Sequence, residues 1–293
     1  MNIIYFNENQ KDEWDDFVAE NAEDGGLLQS WGWGDFQKKL NKKIWRIGII
    51  DGDNNLLAAC FAFKDDLSLG QKTIEIYRGP LINLKLENKE FKLILEKLLE
   101  ELEIIAKKEK AMIIRIDFGK FVEAGPLQCR GRTSTDLREL GLRRANRDIQ
   151  PRSTFFIDLS IPEKEILQKM KSKHRYNIRL SEKKGVKIYL SPKENLKKDF
   201  LKFWELIQVT SKRDGFAIHD KNYYYDLLNS GNKIKLYLAN FEDKVIAASL
   251  VGCFGGVCTY MHGASNDEYK SVMAPYLLQW QAILDAKSEE KKY

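Results

Sequence analysis

Only three histidines and four cysteines occur among 293 residues, and that scarcity argues against most metal chemistry. A zinc site needs several thiolate or imidazole ligands at close spacing, and Cys60, Cys129, Cys253 and Cys258 form no C-x-x-C pair. Neither a metal site nor a disulfide framework is expected, in keeping with a reducing cytoplasm. No run of about 18 apolar residues is present, the length a membrane-spanning helix requires. The N-terminus, Met1-Asn2-Ile3-Ile4-Tyr5, lacks a basic leading region and a long apolar stretch, so no secretory signal is expected. A strong charge of one sign is also missing. The 48 basic and 43 acidic residues leave a formal +5, which by itself describes a solvated surface. The expected place is the cytoplasm, so that any substrate, if lipid-linked, would be met at the inner membrane face, and the expected state is a monomer.

What is present describes a folded chain: 43% apolar and 31% charged residues, with a length that suits two domains of about 100–200 residues each. The pattern predicts helices over 10–24 and from Trp31 through Leu40. Runs at Trp45–Ile50 and Leu56–Phe63 flank Asp51-Gly52-Asp53-Asn54-Asn55 and read as a hairpin. A third strand covers Lys72–Tyr77. Apolar residues at helical spacing predict a helix over 89–109. Ala111–Ile116 is a continuous apolar strand, expected to be central, ending in Asp117. A short helix is expected over Thr135–Leu140 and a strand over Ser153–Leu159.

The second half repeats the order. One helix is predicted over Ile161–Arg179, with Pro162 in its first turn. Then come a strand (Val186–Leu190), helices (Leu196–Lys212, Asn222–Asn229), strands (Ile234–Phe241, Val245–Phe254, Val257–Ala264) and a helix (Pro275–Lys287). The expected fold class is α/β (α+β), with mixed sheets flanked by helices and two similar domains, 1–149 and 150–293.

The order in the second half resembles the one expected of the acetyltransferase-like (GNAT) fold. Coenzyme A enzymes of that fold carry a glycine loop whose bare N–H groups hold pyrophosphate at a helix N-terminus. Here the matching stretch is Tyr269-Lys270-Ser271-Val272-Met273-Ala274-Pro275, with bulkier residues at the glycine positions and one N–H removed by proline. The order suggests acyl transfer, and the loop argues against coenzyme A.

Lys169, Lys171, Lys173, Arg175, Arg179, Lys183 and Lys184 crowd one helix, with Glu182 the only acid among them. A lone basic run is more often a solvated face, yet such a helix can also contact several phosphates. Asp117, at a strand end, is either a loop cap or a proton acceptor for an amine nucleophile. Arg78 and Arg152 suit phosphate or carboxylate, though an isolated arginine is more often in a structural ion pair. Tyr223, Tyr224 and Tyr225 follow His219; such clusters are usually core. No nucleophilic dyad is evident, so direct transfer is preferred over a covalent intermediate.

Taken together, Leu28-Gln29-Ser30-Trp31-Gly32-Trp33-Gly34-Asp35-Phe36, Arg78-Gly79-Pro80, Arg115-Ile116-Asp117, Gln150-Pro151-Arg152, Lys169–Gly185 and the stretch Tyr260–Lys287 resemble the Fem family of peptidoglycan interpeptide-bridge aminoacyltransferases. The resemblance implies two acetyltransferase-like domains. It also implies transfer of glycine, alanine or serine from aminoacyl-tRNA, without a further cofactor, to the stem-peptide amine of a UDP- or lipid-linked muramyl-pentapeptide. Asp117 falls at an aspartate implicated in the reaction, and Tyr223 and Tyr260 at tyrosines lining the precursor cleft. Gln37 and His219 stand where a member using the UDP-linked precursor has phosphate-binding Lys and Arg; Lys38 or cationic His219 could compensate. Gln37, Lys38, Arg78, Arg152, His219, Tyr223 and Tyr260 are thus candidates for the precursor, and Lys171, Lys173, Arg175 and Arg179 for tRNA. The short run from Arg179 to Gly185 leaves no room for the helical arm of some members. The family continues beyond Tyr293 with further strands, so the resemblance implies an incomplete second domain with an open sheet edge. The alternatives are an acyl-coenzyme A N-acyltransferase and a non-catalytic paralogue that binds RNA or precursor.

Overall fold

The computed structural model describes residues 1–67, 70–118, 137–146, 148–151, 153–230 and 233–293. Arg152, Cys129 and the start of the expected 135–140 helix lie outside the described residues. The chain divides into two units, Met1–Thr154 and Phe155–Tyr293, a few residues beyond the 149/150 boundary expected from sequence. Each is described by itself.

In the first unit the elements are β1 (Asn2–Tyr5), α1 (Lys11–Asn21), α2 (Trp31–Lys39), β2 (Ile44–Ile50), β3 (Leu56–Asp66), β4 (Lys72–Tyr77), β5 (Leu81–Ile82), α3 (Asn88–Glu109) and β6 (Ile113–Asp117). The sheet runs β1-β2-β3-β4-β6, with β5 paired to β3. Neighbours are antiparallel except β4 and β6. Returning to the same edge in the same direction needs a crossover, and α3 supplies it. Its apolar stripe, Ile94, Leu95, Leu98 and Leu102, is fully buried against Ile47, Ile49, Cys60, Ile74 and Ile76. Trp14, Trp31, Phe36, Phe61 and Phe63 are also fully or nearly fully buried, and α1 and α2 contribute three of these five. The β2–β3 turn forms because Asp51 Oδ1 accepts the N–H groups of Asp53 and Asn55, both at 2.9 Å.

The expectation that the strand ending in Asp117 is central is corrected. Among the described residues β6 is the last strand of the sheet, and Ile113 is exposed. Its continuous apolar run reflects α3 on one side and β4 at its edge, not strands on both edges.

The second unit comprises α4 (Glu163–Lys169), α5 (Ser172–Lys183), β7 (Lys187–Leu190), α6 (Leu196–Asp214), α7 (Lys221–Leu228), β8 (Lys233–Phe241), β9 (Lys244–Phe254), β10 (Val257–Ser265) and α8 (Ala274–Ser288). Its antiparallel sheet runs β10-β9-β8-β7. Tyr237, Ala239, Ala247, Val251 and Cys253 share a core with Leu277, Leu278 and Trp280 of α8 and Ile178 of α5. The alternate residues Leu236, Leu238, Ala248 and Leu250 are buried as well, as a sheet covered on both faces requires.

Three further expectations are corrected here. The helix predicted over Ile161–Arg179 is two helices, because Met170 (ψ 151°) and Lys171 (ψ 145°) are extended. Arg175 holds this break by donating to the Met170 and Gln168 carbonyls. The segment Ser153–Leu159 is not a strand. Phe155 is fully exposed, and Leu159 N–H donates to the Lys292 carbonyl at 3.0 Å. Finally, Cys253 and Cys258 form a disulfide. Gly255 (φ +54°) and Gly256 (φ +80°) make a two-residue turn that sets the two cysteines directly opposite in the ladder. Cysteines flanking Gly-Gly by one residue on each side were the available signal. Cys60 is free and buried.

Candidate functional site

In the first unit the chemistry gathers where the parallel pair ends. Register places Tyr77 beside Asp117, so the segments leaving β4 and β6 emerge together. Gly79 N–H then donates to the Asp117 carbonyl at 3.0 Å. Between them Arg78 adopts φ +53°, a left-handed conformation that a non-glycine residue keeps only when its surroundings fix it. The Arg78 Nη2 donates to the Pro151 carbonyl at 2.7 Å. Its Nε lies 3.6 Å from Asp117 Oδ2 and 3.8 Å from Asp24 Oδ2.

Asp117 Oδ2 is buried without a hydrogen-bond partner. Burial pushes this carboxyl above its ordinary range; Arg78 opposes the change, while Asp24 and Asp148 reinforce it. Such a carboxylate is a stronger base than an exposed one. On the same strand pair, Glu75 is buried and pushed up, mainly by burial, with Thr73 donating to it at 2.7 Å and Arg115 3.2 Å away.

The Gln29–Phe36 motif builds support for this corner. The buried Gln29 carboxamide donates to the Tyr77 carbonyl (2.7 Å) and the Phe61 carbonyl (3.3 Å) and accepts from Phe61 N–H (2.8 Å). Gly79 must pass close over it: a Cβ there would stand 2.6 Å from the Gln29 amide. Ser30 caps α2 by accepting the Trp33 N–H at 3.1 Å. Arg46 is buried over the Trp31 ring at 3.6 Å and bonded to the Trp31 carbonyl and Asp35. Gln37 is buried on α2. Lys38 is ion-paired with Glu8 at 3.0 Å, with roughly half its side chain exposed.

In the second unit, His219 stacks on Tyr223 with ring centroids 3.7 Å apart and planes 14° apart. Asp220 caps α7 by accepting the Tyr223 N–H at 2.8 Å, which fixes the tyrosine beside the histidine. Tyr224 meets Tyr223 edge-on at 5.4 Å and His262 at 5.0 Å. Burial raises the Tyr223 hydroxyl well above its usual range. Burial, with His219 nearby, pushes His262 down to about 4. Tyr260 is half exposed. Its hydroxyl bonds Gln279 and lies over Gly263, where a Cβ would collide with it. A bulge between Tyr260 and His262 re-aims this stretch of β10. His262 was not singled out from sequence, and Tyr224 was read only as part of a tyrosine cluster of the kind that is usually core, as its burial bears out; their contact joins α7 to β10, and no local pattern announces it.

Lys171, just before α5, and Lys173 and Arg179 on it are exposed, as is Tyr176, while Asn177, Ile178 and Ser181 are buried. Arg175 is partly buried and spent on the α4–α5 break. Lys184 donates to the Ser271 carbonyl at 2.8 Å. Among the described residues no cluster of three or more His, Cys, Asp or Glu could hold a metal, and no helix is long and apolar enough to cross a membrane.

The family model described as the FemAB family matches residues 10–125, 134–244 and 240–292. A lipid II:glycine glycyltransferase of Staphylococcus aureus is 31% identical over 238 residues, 79% of this chain and 54% of that protein. One from Staphylococcus epidermidis is 30% identical over 243 residues, 79% and 55% respectively. The chain thus spans about half the length of the curated relatives it matches. Among solved structures, a crystal structure of FemX has a TM-score of 0.76 at 20% identity, covering 100% of this chain and 87% of that one. A tandem GNAT protein from the clavulanic acid pathway has a TM-score of 0.51 at 14% identity, covering 99% and 87%. The fold is therefore the mixed α/β one of tandem acetyltransferase-like proteins.

Proposed function

This chain belongs to the FemAB family, and from that premise we propose that it is an aminoacyltransferase of peptidoglycan bridge formation. The names of its relatives favour lipid II as acceptor and glycine as the transferred residue; the proposal adds aminoacyl-tRNA as donor, with no further cofactor. In the reaction the acceptor amine attacks the ester carbonyl of the donor. A C–N bond forms, the C–O bond to the ribose breaks, and the amine's proton must leave. Asp117 is assigned that proton, which it returns to the departing ribose oxygen. The observation that carries the assignment is its half-buried carboxyl, held at a strand end with one oxygen that accepts no hydrogen bond among the described residues and has the Arg78 guanidinium near it at 3.6 Å.

His219, Tyr223 and Tyr260 are assigned to the precursor, the tyrosines giving apolar faces with polar tips. Gln37, Lys38, Arg78 and Arg152 are assigned to it as well; of these, Gln37 is buried, Lys38 is paired with Glu8 and Arg78 is engaged by carboxylates. Lys171, Lys173 and Arg179 are assigned to tRNA phosphates, with Arg175 contributing mainly to the shape of that helix. Contact with the inner membrane face would follow from a lipid-linked acceptor. The test is transfer of radiolabelled amino acid from charged tRNA to lipid-linked and UDP-linked precursors, with glycine, alanine and serine in parallel. Glycine transfer to lipid II is the expected result. No transfer with any of the three, or activity only with acyl-coenzyme A, would overturn the proposal.

A further inference from the structure

Asp24 belongs to no motif singled out above, yet it is built into the Asp117 corner. The chain leaves α1 and turns through Gly25 (φ +83°) and Gly26 (φ +73°). A Cβ on Gly26 would stand 2.5 Å from the Val18 side chain, so the turn is pressed against the helix. Asp24 Oδ1 accepts the Gly26 N–H at 3.1 Å, a local bond that fixes the carboxylate's direction. Its other oxygen faces Arg78, 3.8 Å from Nε. That same nitrogen stands 3.6 Å from Asp117 Oδ2, and neither separation is a hydrogen bond. The guanidinium is therefore suspended between two carboxylates while its Nη2 is tied to the Pro151 carbonyl.

We propose that Asp24 is a positioning residue for the reaction at Asp117: by sharing Arg78, it keeps the guanidinium from closing onto Asp117 and so leaves Asp117 Oδ2 free to receive a proton. The inference rests on the reaction assigned above, but its central claim concerns only three side chains. Without Asp24, Arg78 closes on Asp117 as a charge-assisted pair, which occupies the free oxygen and weakens the base. The other charged groups about Asp117 are Asp148, which pushes in the same direction as Asp24, and the Glu75–Arg115 pair on β4 and β6.

The experiment follows the Asp117 carboxyl by carbon-13 NMR across a pH series, with Asp117→Asn supplying the assignment. Asp24→Asn should lower its titration midpoint by about half a pH unit or more, the scale of one unit charge removed at this range in a partly solvated site. Asp24→Glu, which keeps the charge, should leave the midpoint close to wild type. Arg78→Gln should raise it. A purely structural role for Asp24 would not yield opposite signs at Asp24 and Arg78. In transfer assays the acid limb of the Asp24→Asn pH profile should move down with the midpoint and the plateau kcat should fall. If Asp24→Asn unfolds, Asp24→Ser keeps an oxygen for Gly26 and serves instead. An unchanged or raised midpoint in Asp24→Asn or Asp24→Ser, or an unchanged or lowered one in Arg78→Gln, would overturn the inference. Absence of transfer by the wild type would overturn the reaction reading alone, since the titration would still decide the Asp24 question.

Discussion

Acidification from pH 7 to pH 5 should destabilise the second unit by about 2 kcal/mol through His262 alone. The imidazole ordinarily titrates near 6.5 and here is pushed down to about 4 by burial, with His219 adding to the effect. A histidine whose native pKa lies below its unfolded value favours the unfolded chain wherever that chain takes up the proton first. The penalty vanishes well above pH 6.5, where both states are neutral. The penalty grows as pH falls through 6.5 and levels off below 4. The two values imply a penalty of about 0.2 kcal/mol at pH 7 and about 2 kcal/mol at pH 5, or roughly 6 °C in Tm for a unit of this size. The measurement is urea unfolding at both pH values, wild type against His262→Gln, read as a difference of differences so that every other titrating group cancels. Equal pH dependence in the two proteins would refute the reasoning, and a wild type that gains stability at pH 5 relative to the variant would refute even its sign.

Asp117→Asn should reduce transfer by about 10²–10⁴-fold with an unchanged melting profile, checked by single-turnover transfer from charged tRNA. Replacing Lys171, Lys173 and Arg179 together by alanine should flatten the slope of log affinity for tRNA against log salt by roughly 2–3, checked by filter binding across a salt series. Leu98→Ala removes a fully buried side chain from the α3–sheet core and should cost about 3 kcal/mol in denaturant unfolding.

Much of the fold was legible because its signals are local. Lys72–Tyr77 has the bounds read from sequence, and the Asp51–Asn55 turn and the α3 stripe carry their own chemistry. What escaped depends on partners distant in sequence. The apolar run before Asp117 is compatible with a central or a terminal strand, and only the pairing of β4 with β6 decides. Met170 and Lys171 lack any breaker signature, and the break is fixed by Arg175 from the following helix. Strand formers at Ser153–Leu159 have no ladder to join among the described residues. At the candidate site, Asp117 and the tyrosines were legible as residue types at strand and helix ends. Asp24 and His262 were not, because each matters only through a side chain brought in from another element.

Gln29 does more than brace its neighbours. Phe63 faces Glu75 across the β3–β4 ladder, and two residues on, Phe61 and Tyr77 would be the next bonded pair. Instead the strands part, and the carboxamide stands in the gap, giving and taking the bonds that a peptide group would. A side chain has replaced one rung. Just past that rung β3 takes a new partner, β5 at Ala58 and Ala59, so the fork in the sheet opens without orphaning Phe61 N–H or the Tyr77 carbonyl. Only a planar group with both a donor and an acceptor can hold such a fork. Glutamate lacks the donor and leucine lacks both, so either should let the fork slip and carry the Arg78 turn away from Asp117.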